Sequence, residues 1–145
     1  MTTNPPSGSA RAETVVEGGP TWTIAVNLNQ NLLGKTMIVL NRRCRSVTDL
    51  TPAEWTDLHA QIRRLRVALD SLFEPDQYNY AFLMNRDRQV HLHVVPRYRA
   101  VREWCDKQFE DPHWGEVFGP EQRLLEPTAL TLLRDRLRAK LPTSA

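Results

Sequence analysis

A chain of 145 residues suffices for one domain with a substantial core, so neither a disulfide framework nor a structural metal is needed as scaffolding. Its 41% hydrophobic and 25% charged residues are ordinary for a globular protein and exclude collagen-like, fibrous and wholly disordered classes. A net charge of +2 is too mild for the footprint of a nucleic-acid-polymer binder, and no apolar run approaches the ~18 residues of a bilayer span, so neither partner is expected.

Residues 1–19 are rich in Thr, Pro, Ser and Gly without apolar periodicity, which predicts an unanchored tail ahead of a single domain over 20–145. The first ten residues lack the apolar centre of a signal peptide, and Cys44 and Cys105 have no metal-ligating spacing, so a cytoplasmic setting with reduced thiols is expected. From Thr21, the alternation of Trp22, Ile24 and Val26 with smaller or polar residues predicts a half-buried strand ending at Asn27. An asparagine-rich connection to Gly34 leads to a second strand, Lys35 to Asn41, antiparallel to the first.

Thr51-Pro52-Ala53-Glu54 supplies an N-cap hydroxyl, a proline for the first helical position and a capping-box carboxylate. Trp55, Leu58, Ile62, Leu65, Leu69 and Leu72 then recur in steps of three and four, predicting a long helix whose apolar stripe covers a sheet. A third strand is expected from Tyr78 to Met84, followed by the polar stretch Asn85-Arg86-Asp87-Arg88. In the fourth, Val90, Leu92 and Val94 alternate with Gln89, His91 and His93, and Pro96 is expected to end its pairing. Residues 99–122 look irregular, with Trp104, Phe109, Trp114 and Phe118 as anchors, before a last helix from Pro127 to Leu141. The fold class is therefore α+β, with an antiparallel sheet, a long helix packed on it and a C-terminal helix.

His91 and His93 project from one face of their strand, roughly 7 Å apart along the chain, and can reach one small ligand, with Gln89 in the same row. Two nitrogens alone do not hold a metal, and the nearest further candidates, Asp111 and His113, have no characteristic spacing, so no metal site is assigned.

The run Gln89-Val90-His91-Leu92-His93-Val94-Val95-Pro96-Arg97 resembles the signature of the histidine triad (HIT) superfamily, three histidines alternating with apolar residues and followed by Pro-Arg. The similarity extends upstream over about Thr21 to Tyr98, and the order of elements looks most like the diadenosine-polyphosphate hydrolase branch. The resemblance implies a HIT-like fold and cleavage at the α-phosphorus of a nucleoside phosphate ester, anhydride or amidate, through a nucleotidyl-histidine intermediate on His91. Imidazole suits this role, because its neutral form offers a lone pair near neutral pH without a strong base.

By the same resemblance, His93 and Gln89 complete the catalytic row, Asn27 meets the ribose, and Asn85, Arg86 and Arg88 form the phosphate-side loop. It also implies a nucleotide or dinucleotide ligand, a homodimer, and no tightly bound cofactor, magnesium entering only with substrate phosphates. Two departures matter: Gln89 replaces the first histidine, and the loop before it is short. Glutamine can hydrogen-bond but cannot carry a proton away, so a nucleotide-binding module with weak or no turnover is the alternative.

Overall fold

The computed structural model describes residues 11–144. Five strands form one antiparallel sheet: β1 (Val15–Gly18), β2 (Trp22–Val26), β3 (Thr36–Leu40), β4 (Gln77–Ala81) and β5 (His91–Arg97), in spatial order β1-β2-β3-β5-β4. Helix α1 (Pro52–Phe73) joins β3 to β4, a hairpin of β6 (Arg102–Trp104) and β7 (Lys107–Phe109) follows β5, and α2 (Pro127–Lys140) closes the described chain. The α+β class with two helices on an antiparallel sheet is thus as the sequence predicts.

One face of the sheet carries Trp22, Ile24, Val26, Ile38, Leu40, Leu92 and Val94 into a core with Leu58, Leu65, Leu69 and Phe73 of α1 and Leu133 and Leu137 of α2. The capping box forms as predicted, with Thr51 Oγ1 accepting from Glu54 N at 3.1 Å and Glu54 Oε1 accepting from Thr51 N at 2.8 Å. Glu54 also receives Arg42 in a two-pronged ion pair of 2.6 and 2.8 Å, which ties the helix start to the loop after β3. Trp55 departs from the expected stripe: it stays 43% exposed and packs edge-on against Phe82, while Trp22 takes the buried place and donates its indole N–H to Glu54 O.

Three expectations are corrected. Residues 1–10 of the expected tail lie outside the described residues, but 15–18 form the edge strand β1, and 20 is not where the fold begins. Val16 is buried in the core, and α2 seals the β1 edge through Arg138, which donates to Val16 O and Val15 O. Pairing of β5 with β3 does stop at Val94, yet its pairing with β4 runs on through Pro96 to Arg97. The region 99–122 contains the β6–β7 hairpin, which is too short to announce itself by periodicity.

The connection from Asn27 to Lys35 is held unusually tightly. Gln30 donates to Asn27 O and Lys35 O and accepts from Gly34 N, and the buried Tyr98 hydroxyl donates to Leu33 O. Gly34 has φ of +90° and passes so close to α1 that a Cβ would sit 3.0 Å from Leu69, two reasons why only glycine fits. Among the described residues no helix is long and apolar enough to cross a membrane.

Candidate active site

The sheet face away from the core carries a groove of about 380 Å³ between the Asn27–Lys35 connection and the loop that follows β4. Asn27, Asn85, Arg86, His91 and His93 all line it, so most of the residues singled out in the sequence are brought together. The register explains the placement: Met37 opposes His93 and Val39 opposes His91, which puts both histidines on the face of β5 shared with Met37 and Val39 of β3 and with Lys35 just before that strand.

His91 is buried, 3% exposed, and its ring is oriented by the main chain. Its Nδ1 lies 2.6 Å from Gln89 O. A carbonyl only accepts, so in the neutral ring Nδ1 carries the proton and Nε2 the lone pair. That Nε2 lies 3.1 Å from His93 Nε2, with the rings nearly perpendicular at 70°. His93 therefore donates its Nε2–H to the lone pair of His91. Burial, the neighbouring His91 and the Lys35 ammonium together pull the His93 pKa down to about 4, which keeps His93 a neutral donor.

Two expected members do not reach the groove. Gln89 precedes β5 at a bend rather than continuing the row, and its side chain turns toward the end of β3. There its Nε2 donates to Leu40 O at 2.7 Å and Arg42 O at 2.6 Å, while its Oε1 accepts from Cys44 N at 3.1 Å. Those three bonds satisfy backbone groups that the strand end leaves open, and they win over a place in the histidine row. What Gln89 presents to the site is its carbonyl. Arg88 is exposed and absent from the groove lining.

Lys35, Asn29, Asp87, Leu83, Met84 and Gln122 line the groove without having been singled out. For Lys35 the signal was present, because it alternates with Met37 and Val39, but using it required the β3–β5 register. Asp111 and His113 are engaged elsewhere. Asp111 forms a buried two-pronged pair with Arg97 at 2.7 and 3.1 Å, and His113 meets Glu121 at 2.7 Å. A larger cleft of about 700 Å³ follows β4 and residues 114–118 but contains neither histidine.

The HIT domain family model matches residues 11–100, which span β1 to β5. Over 80 residues the chain is 30% identical to an asymmetrical bis(5'-nucleosyl)-tetraphosphatase of Schizosaccharomyces pombe, a match covering 52% of this chain and 44% of that protein. The fold resembles that of a histidine triad protein from Bradyrhizobium japonicum, with a TM-score of 0.68 at 22% identity over 92% of this chain and 97% of the other. It is also similar to a histidine triad protein from Sinorhizobium meliloti, with a TM-score of 0.69 at 19% identity over 88% and 89% of the two chains. The matched family model, the fold and the paired histidines agree, and the chain belongs to the HIT domain family.

Proposed function

We propose that the protein is a hydrolase or nucleotidyl transferase that cleaves at the α-phosphorus of a nucleoside phosphate ester, anhydride or amidate, such as a dinucleoside polyphosphate. The observation that carries this reading is the orientation of His91, whose Nδ1 is held by Gln89 O so that the Nε2 lone pair belongs to the groove. In the first step His91 Nε2 forms a bond to phosphorus and the leaving group departs with the electron pair of the broken bond, a phosphate from an anhydride as its anion and an amine from an amidate with a proton taken from solvent. Water, or another acceptor hydroxyl, then attacks the same phosphorus and releases its proton to solvent, and the P–N bond breaks to return neutral His91. His93, kept neutral, transfers its Nε2–H hydrogen bond from His91 to a phosphoryl oxygen as charge builds there. Asn85 and Arg86 offer further donors, and Asn27 faces the ribose.

Magnesium enters with the substrate phosphates in this scheme. Asp87 fits such an arrival, since it lines the groove and its Oδ2 is buried without a hydrogen-bond partner. A hydrolysis screen over dinucleoside polyphosphates and adenosine phosphoramidates, with and without magnesium, tests activity and substrate class together. One observation favours a binding module without turnover: with the Gln89 side chain outside the groove, no ionisable group stands at the first position of the triad. Nucleotide binding with no turnover of any substrate in the screen would establish that reading.

We also propose a homodimer built on the β4 edge. The two edges of the sheet differ, because α2 seals β1 while β4 has no outer partner among the described residues and Tyr80 there is 42% exposed. An open edge is completed by a second copy in an isologous contact.

A further inference from the structure

Lys35 is only 7% exposed, yet its ammonium has no carboxylate within ion-pair distance among the described residues. Among the described residues its one hydrogen-bond partner is a neutral amide, Asn31 Oδ1 at 2.9 Å, and the ring of Phe118 lies 6.0 Å away. A buried cation that meets no anion is costly, and this one is not misplaced by accident. The backbone that carries it is clamped by Gln30, by Tyr98 and by the positive φ of Gly34. The groove into which it opens also holds the two histidines and Asn27.

We propose that Lys35 is the anion-recognising cation of the groove, binding a phosphate oxygen of a nucleoside 5'-phosphate beside His93. This rests on the reading of the groove as a nucleotide site. It gives the site a charge that Gln89 does not supply and accounts for a lysine held under cover with two of its three N–H donors uncommitted.

The geometry has a consequence in pH. Burial lowers the Lys35 pKa to about 8. The other ionisable groups on the groove wall are His91 and His93 on β5 and Arg86 and Asp87 on the loop after β4. Behind Asn31, a neighbouring cavity adds Glu110, Asp111, His113, Glu121 and Arg123. The Lys35 ammonium gives up its proton in the window around pH 8. A phosphate monoester is a dianion throughout that window. Anion affinity is therefore level below pH 8 and falls above it, as the bare amine replaces the ammonium.

Calorimetric titration of the full chain with AMP and with adenosine, from pH 7 to 9.5, tests the assignment. Wild type is expected to prefer AMP over adenosine by tenfold or more at pH 7 and to lose about tenfold in AMP affinity by pH 9.5. Lys35→Met, which keeps the volume and removes the charge, should cut the preference by about tenfold and remove the pH dependence while adenosine affinity stays within about twofold. Lys35→Arg should restore a preference for AMP that no longer declines with pH, a pattern a packing role for the side chain would not produce. An unchanged preference in Lys35→Met, or the same decline in Lys35→Arg, overturns the assignment and leaves the nucleotide site standing. Wild type that binds neither probe overturns both.

Discussion

The main-chain carbonyl of Gln89 lies 2.6 Å from His91 Nδ1, so the residue at the first triad position acts on His91 through its backbone and not through its side chain. Any residue in that place keeps the carbonyl. The side chain instead knits Leu40, Arg42 and Cys44 to the start of β5.

Gln89→His should therefore change the turnover of an adenosine polyphosphate by less than about tenfold, or 1.4 kcal/mol. Gln89→Ala should keep a similar rate but destabilise the fold by about 1–3 kcal/mol, because it leaves partly buried backbone groups without partners. Steady-state kinetics and urea unfolding on both variants separate these effects. A gain above a hundredfold in Gln89→His would show that the site lacks a proton donor that an imidazole there can supply.

His93 links the site to acid stability. Its pKa falls from 6.5 to about 4 in the folded chain, so as pH drops below 6.5 the unfolded state takes up a proton that the folded state refuses. Above pH 6.5 neither state is protonated there and the contribution vanishes. Stability is expected to decline between pH 6.5 and 4 by up to about 3 kcal/mol and level off below, and His93→Asn should flatten that part of the curve. Thermal unfolding across this range with no difference between wild type and variant would contradict the assigned environment.

Arg97 and Asp111 form the other buried electrostatic feature, with side chains only 3% and 1% exposed. Arg97 also donates to Asn79 Oδ1, Glu116 O and His113 O, so it anchors the segment that carries Phe118 toward Lys35. Asp111→Ala leaves the guanidinium buried without its counter-charge and should cost about 3–5 kcal/mol. Denaturant unfolding checks this, and a loss below about 1 kcal/mol would contradict the pairing.

Much of this architecture could be read in advance, for identifiable reasons. The α1 boundary was legible because Thr51, Pro52 and Glu54 encode a cap locally, and the strands carrying Ile24, Ile38 and Leu92 because alternation reports one packed face. Strand β1 was not, since Val16 belongs to the core through partners on α2 and β2 that no local pattern reveals. The same division runs through the site. His91 and His93 are two apart on one strand, whereas Lys35 joins them only through the pairing of β3 with β5, and Gln89 leaves them because the chain bends two residues before the strand begins.

The open β4 edge predicts a dimer in solution. Light scattering at micromolar concentration should give twice the chain mass, and a proline in place of Tyr80, which lies opposite Val94 and so directs its N–H away from β5, should shift the population toward monomer. A monomeric mass for wild type across that range would contradict the proposed association.

Rapid acid-free quenching during turnover of an adenosine phosphoramidate or dinucleoside polyphosphate, followed by peptide mass mapping, detects a covalent nucleotide on His91. A nucleotidyl adduct is expected on the peptide containing His91 and not in His91→Ala, which should still bind nucleotide because a nucleophile serves the chemical step more than the ground state. Turnover that continues in His91→Ala, or an adduct mapped to another residue, would contradict attack by His91.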